Sequence, residues 1–256
     1  MLHNHRLALL LAGAIVAAAF FASCDDNDDA AATPPAEPTV AASATPEPGP
    51  AISIDAPNAN ERVTIPFRVS GTANVFEGAF EVVISATNGD VLCKHNVQAT
   101  SGSGTRGTWI TTMAFVLPHT TDEDFPATIR AISYSAADGS IEYVTQRPVS
   151  IAPDLPAIVI TSPGCSEELS AGSTLTVTGL ALVFEAVLQV GVRDASGAEL
   201  IRQRVMAASG TEFSPWSTEL DLSALPGAGI YEVVAYNFSA RDGSIENEFA
   251  VPIVLQ

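Results

Sequence analysis

An all-β chain, two tandem immunoglobulin-like β-sandwiches behind a targeting segment and a linker, is the architecture this sequence predicts. Three observations predict it. Apolar residues beyond the linker recur with a period of two, turn signals carrying Gly or Pro cut them into short runs, and one set of anchors occurs twice in the same order.

The repeat sets the boundaries. Val69-Ser70-Gly71 and Val75-Phe76-Glu77 recur as Val177-Thr178-Gly179 and Val183-Phe184-Glu185. Trp109 recurs as Trp216, and Asp138-Gly139-Ser140-Ile141-Glu142 as Asp242-Gly243-Ser244-Ile245-Glu246. The spacing between equivalent anchors shrinks slightly along the chain, as shortened loops would produce. The first copy spans 51–153 and the second 157–256, with Pro153-Asp154-Leu155-Pro156 as a hinge. Each is about the size of one independently folding domain.

Within the copies, Val63, Ile65, Phe67 and Val69 alternate with polar or small residues. So do Phe80, Val82 and Ile84, matched by Leu188, Val190 and Val192. Trp109, Thr111, Met113 and Phe115 correspond to Trp216, Thr218, Leu220 and Leu222, and each set predicts a strand face turned into a core. Ile110 breaks that pattern and points to a sheet edge. Asn88-Gly89, Ser196-Gly197, Asp138-Gly139 and Asp242-Gly243 mark turns, the last two being dipeptides that suit type I′ hairpins. The tryptophans and aliphatics must fill both cores, because the cysteine pair of antibody domains is missing.

Composition narrows the function. Of 256 residues, 11 are Lys or Arg and 29 Asp or Glu, a net charge of −18 that excludes nucleic-acid binding through phosphate neutralisation. Hydrophobic residues make up 47% and charged ones 16%, enough apolar material for packed cores.

The N-terminus predicts location. Arg6 precedes an unbroken apolar run over 7–21, shorter than the ~20 residues of a spanning helix and suited to a signal-peptide core. The run ends in Phe21-Ala22-Ser23-Cys24, which resembles the lipobox of bacterial lipoproteins, with Phe21 where leucine is usual. The resemblance implies a signal peptide over 1–23 and lipidation of Cys24 with diacylglycerol and a palmitate-class acyl chain. An unmodified thiol beside an ordinary cleavage site is the alternative. Several acyl chains anchor stably without spanning, so the expected location is the extracytoplasmic face of a cell membrane. Residues 24–50 read as an extended linker: an acidic run at Asp25, Asp26, Asp28 and Asp29, then Pro34, Pro35, Pro38, Pro46, Pro48 and Pro50. The acidic run reads as solvated tether, with repulsion from anionic headgroups as the sharper alternative.

A family resemblance covers nearly everything from residue 51 onward. Ile52, Ile54 and Pro57, then Val69-Ser70-Gly71, Ala73 and Val75-Phe76-Glu77-Gly78, a Gly89 turn, a tryptophan strand and Asp138-Gly139 resemble the bacterial spore germination immunoglobulin-like domain. The second copy matches through Ile158, Ile160, Pro163, Val177, Gly179, Ala181, Val183, Phe184, Glu185, Gly197 and Asp242-Gly243, and departs at Ala186, where the first has Gly78. The resemblance implies an extracytoplasmic fold and carries no activity.

Catalytic residues are not expected, nor a cofactor or metal. The second copy has no histidine; His95, among Lys94, Asn96 and Gln98, and His119, after Pro118, read as solvated surface residues. Phe76, Glu77, Phe184 and Glu185 are the binding candidates, since an aromatic followed by an acid recurs at one place in both copies. Structural hydrogen bonding is the plainer role for both acids, because a lone carboxylate is a poor metal site. Asp138, Ser140 and Glu142 alternate like calcium ligands, but a hairpin turn explains them more simply. The loops over 105–108, 120–125 and 209–213 are further candidate surfaces. Cys93 and Cys165 fall in different copies, and nothing in the sequence brings their Cα atoms within the ~7 Å a bridge requires, so they read as unpaired. The functional expectation is a lipid-anchored binding and spacer module contacting an envelope protein or cell-wall glycan, by resemblance linked to germination or cell-wall processes. The alternative is an accessory domain or carboxylate-based hydrolase acting on envelope polysaccharide.

Overall fold

The computed structural model describes residues 49–118 and 122–256. The signal-peptide and lipobox residues, Cys24, the linker up to residue 48 and His119 lie outside the described residues. Among the described residues no helix is long and apolar enough to cross a membrane.

The first copy forms β1 (Glu61–Val63), β2 (Phe67–Ala73), β3 (Ala79–Ala86), β4 (Val91–Gln98), β5 (Gly107–Met113), β6 (Phe125–Tyr134) and β7 (Ile141–Ile151). The second forms β8 (Ile158–Ser162), β9 (Glu167–Leu169), β10 (Thr174–Ala181), β11 (Val187–Arg193), β12 (Glu199–Met206), β13 (Ser214–Asp221), β14 (Gly229–Phe238) and β15 (Ile245–Leu255). Strand order is β1-β7-β6-β3-β4 facing β2-β5 in the first copy, and β12-β11-β14-β15-β9 facing β13-β10-β8 in the second. Isolated bridges from Ile52 to Ala73 and from Ala56 to Ser70 add the start of the first copy to β2, where β8 stands in the second. No sheet is shared between the copies, so each is its own sandwich. Both belong to one compact unit, and their buried residues form one continuous apolar cluster. At the hinge, Leu155 lines a small apolar recess beside Ile65, Phe115 and Val159.

One expected strand is two. The alternation from Val63 to Val69 is real in burial but breaks at Thr64, Ile65 and Pro66, and its halves join opposite sheets. β1 runs parallel to β7, while β2 pairs antiparallel with β5; β9 repeats the arrangement against β15. Proline cannot donate to a ladder, which makes Pro66 a natural place for the chain to change sheets.

Trp109 and Trp216 are core residues, each 3% exposed, and Trp109 packs edge-on against Phe80 with ring centroids 5.2 Å apart. Ile110 is 61% exposed on β5, a strand paired only with β2, and so lies at the sheet edge as expected. Register explains the repeated glycine. Gly71 sits opposite Trp109 and Gly179 opposite Trp216. A Cβ on Gly71 would lie 2.0 Å from the Ser53 carbonyl oxygen and 3.0 Å from the Trp109 ring; on Gly179 it would lie 2.1 Å from the Val159 oxygen and 2.4 Å from the Trp216 ring. Glycine is thus the residue that lets a neighbouring strand and a large indole meet at one point.

The late Asp-Gly turns are not type I′. Only the glycines, Gly139 (φ 71°) and Gly243 (φ 73°), have positive φ, and the Gly139 N–H donates to the Ser135 carbonyl at 2.8 Å, closing a turn over 135–139. Asp138 Oδ1 accepts from the Ser140 N–H (3.1 Å) and hydroxyl (2.8 Å), and Asp242 does the same with Ser244 at 3.1 and 2.7 Å. These aspartates brace turns, and the serine bonds hold both carboxyls below the usual carboxylate range.

Candidate functional site

Consecutive positive φ angles, which the Asp-Gly turns lack, occur at the aromatic–acid motif. Glu77 (φ 54°) and Gly78 (φ 71°) make a tight turn, repeated by Glu185 (φ 56°) and Ala186 (φ 57°). Gly78 suits this backbone; Ala186, whose Cβ opposes it, carries a strain the first copy avoids. Bonds run through the backbone of the acid: the Glu77 N–H donates to Ser103 Oγ at 2.8 Å, and its carbonyl accepts from Gln98 Nε2. The turn throws its aromatic outward, leaving Phe76 57% and Phe184 71% exposed.

Each turn is packed against a neighbouring loop, in the second copy the 209–213 loop singled out by sequence and in the first the residues just before 105–108. Gly104 N–H reaches Asn74 Oδ1 at 2.9 Å and Ser103 N–H the Val75 carbonyl at 2.9 Å, tying the loop before β5 to the turn at Phe76. In the second copy the backbone at Gly210 comes so close to Ala186 that an added Cβ would lie 2.9 Å from its nitrogen. Phe76 and Glu77 thus form one surface feature, Phe184 and Glu185 another, each confined to its own sandwich. Part of the 120–125 loop lies outside the described residues.

The larger concavity lies elsewhere. A cleft of about 660 Å³ opens between the copies, lined from the first by Arg68, Asn96, Gln98, Thr111 and Thr112 and from the second by Asp194, Ser196, Tyr231, Glu232 and Pro252. None of the four aromatic–acid residues lines it, although Gln98 links its rim to the Glu77 turn. Asp194 is held below the usual carboxylate range by the Ser196 hydroxyl and the Ala198 N–H, so its charge is engaged in its own turn. Burial pushes Glu232 up, against the pull of Arg193 and with a smaller push from Glu248.

Beside this cleft the copies are covalently joined. Cys93 on β4 and Cys165 in the loop before β9 form a disulfide with Cα atoms 5.2 Å apart, so the expectation of two unpaired thiols is overturned. The reason is tertiary: the second sandwich seats its Cys165 loop on the first, where Ser166 also donates to the Lys94 carbonyl. A sequence signal existed, since the expected lipidation of Cys24 would leave an even pair of cysteines, and an oxidising compartment would favour pairing them.

His95 is a second correction. It is 6% exposed, because it shares strand parity with the buried Cys93 and Val97, and its polar neighbours Lys94 and Asn96 face the other way. Its Nδ1 lies 2.7 Å from Thr111 Oγ1, and its Nε2 is buried without a hydrogen-bond partner. Burial lowers its pKa to about 4. The unfolded chain, with an ordinary histidine near 6.5, takes up a proton that the folded protein refuses. Stability therefore falls as pH drops from about 6.5 to 4 and this contribution levels below, a loss of about 3 kcal/mol. Urea midpoints measured across that window check it, and His95→Gln flattens the slope.

The sequence matches the immunoglobulin-like domain of bacterial spore germination over residues 51–140 and again over 157–244. No curated protein matches the chain. Among solved structures it is similar to the fibronectin(III)-like modules of Clostridium thermocellum CbhA, with 14% identity, TM-score 0.26, and coverage of 80% of this chain and 94% of that one. It is also similar to the teleost fish polymeric Ig receptor ectodomain, with 10% identity, TM-score 0.27, and coverage of 80% and 98%. Two matches in tandem, over well over half its length and on the two sandwiches described above, make this chain a member of the bacterial spore germination immunoglobulin-like domain family.

Proposed function

We propose that this chain is a membrane-anchored extracytoplasmic lipoprotein whose two sandwiches act together as a binding and spacer module at the cell envelope, linked to germination or cell-wall processes. The observation that carries the reading is the cleft between the copies, fixed by a disulfide and lined with guanidinium, amide and hydroxyl groups. Such groups suit the hydroxyls and amides of a cell-wall glycan or an extended envelope protein segment. The disulfide favours an oxidising compartment, in keeping with the lipobox residues at 21–24.

A carboxylate-based hydrolase acting on envelope polysaccharide is the second reading, and the raised carboxyl of Glu232 in the cleft favours it. Its carboxylate neighbours are already engaged, Asp194 by hydrogen bonds from Ser196 and Ala198 and Glu248 by Arg193 at 2.9 Å, which leaves Glu232 without a ready carboxylate partner. Binding is therefore the preferred reading.

Replacing Cys24 with Ala is expected to move the protein from membrane to soluble fraction and abolish palmitate labelling; unchanged retention overturns the anchor. Soluble cell-wall muropeptides are expected to raise the melting temperature of the protein, and Arg68→Ala with Gln98→Ala to cancel the effect. Cleavage of these fragments that stops in Glu232→Gln would instead establish the hydrolase.

A further inference from the structure

Three groups with affinity for soft metals meet where the copies join. One imidazole nitrogen of His95 and the sulfurs of Cys93 and Cys165 all lie within 4.8 Å of one another. Cys93 and His95 are two residues apart on the inward face of β4, and Cys165 arrives from the other sandwich. Thr111 Oγ1 occupies His95 Nδ1, which leaves the buried Nε2 as the nitrogen with no partner. A buried imidazole in that condition is costly as mere packing, and a hydroxyl on one nitrogen is how proteins orient the other as a metal ligand.

We propose that Cys93, Cys165 and His95 form a redox-gated site for a monovalent copper ion, closed while the sulfurs are bonded to each other and opened when a dithiol reduces them. His95 and Thr111 also line the cleft, but the inference does not depend on what the cleft binds. In the opening step a dithiol thiolate attacks the sulfur of Cys165, the half-buried partner of the bridge, the S–S bond breaks, and Cys93 leaves as a thiolate that takes a proton. The second thiol of the reductant attacks the mixed disulfide and frees Cys165. The reductant ends as a disulfide, and the protein has gained two electrons and two protons. Copper then displaces both thiol protons to solvent and takes two thiolates and one imidazole. Soft sulfur ligands select this ion, and a three-ligand set falls short of the four that zinc takes in structural sites.

Reduction does not dismantle the site. The Ser166 hydroxyl donates to the Lys94 carbonyl, the Ser166 N–H to the Pro252 carbonyl at 2.7 Å, and the Gly164 N–H to the Glu167 carboxylate at 2.7 Å. The first bond holds the loop on β4 and the other two fix its shape within the second copy, so Cys165 stays beside Cys93 when the sulfurs separate.

The test uses the full chain carrying Cys24→Ala, so that these two thiols are the only ones present. Phosphine-reduced protein is titrated without oxygen with Cu(I) held by bicinchoninate, beside the oxidised protein. Reduced protein is expected to take one equivalent, with ultraviolet thiolate-to-copper absorbance, and oxidised protein none. His95→Gln and Thr111→Val are each expected to weaken uptake by roughly 10–100-fold. Thr111→Val retains all three ligands and carries the test should His95→Gln fail to melt cooperatively. No uptake by reduced protein, uptake unchanged in these variants, or retention of zinc in preference to copper would overturn the assignment.

Discussion

Trp216→Ala is expected to destabilise the second sandwich by about 3–5 kcal/mol, most of the stability of an ordinary domain. The indole is 3% exposed, and the strand that carries it sends Thr218 and Leu220 into the same core, followed by Leu222 just past its end. Truncation removes its transfer energy and leaves a cavity over Gly179, which has no side chain to move in. Trp216→Phe is expected to cost much less, because it keeps most of the ring and discards an Nε1–H that is buried without a partner. Urea denaturation followed by circular dichroism checks both. Were the tryptophans stacking platforms for sugars, their fluorescence would be red-shifted and Trp216→Ala would melt as the parent does.

Removing the bridge is expected to cost nearly as much. Cys93 and Cys165 close a loop with a sequence separation of 72, for which chain entropy gives about 4 kcal/mol. For a chain of this size that is roughly a 10 °C fall in melting temperature. The double variant Cys93→Ala, Cys165→Ala is also expected to replace one transition with two, because the covalent tie is what forces the sandwiches to unfold together. Calorimetry of the parent in reducing and non-reducing buffer makes the same measurement without a mutation. An unchanged midpoint would mean that hydrogen bonds and apolar packing alone hold the copies together.

What could be read in advance follows physical lines. Which strand faces are buried was legible because burial leaves a period of two; Trp109, Met113 and Phe115, like Leu188, Val190 and Val192, are buried as that period requires. The repeat was legible because the anchors perform one geometric task twice, most plainly where Gly71 and Gly179 admit an indole and a strand. Contacts between copies left no such trace. Cys93 and Cys165 occupy non-equivalent places, so comparing the repeats could not pair them, and the cleft exists only once both sandwiches are placed. His95 was misread because its neighbours Lys94 and Asn96 are polar, whereas strand parity with Cys93 and Val97 sets its side. At Phe76-Glu77 and Phe184-Glu185 the motif was visible, but its left-handed backbone was not.

The bridge also governs how the molecule bears tension. A pull across the described residues, from Gly49 to Gln256, enters through the strands before Cys93, crosses the sulfurs, and leaves through the strands after Cys165. The covalent path bypasses everything between, including β5, β6, β7 and β8. About 250 Å of chain, at roughly 3.5 Å per residue across a separation of 72, stays hidden until the sulfurs part. Under force the oxidised chain therefore reaches a shorter full extension than the reduced one.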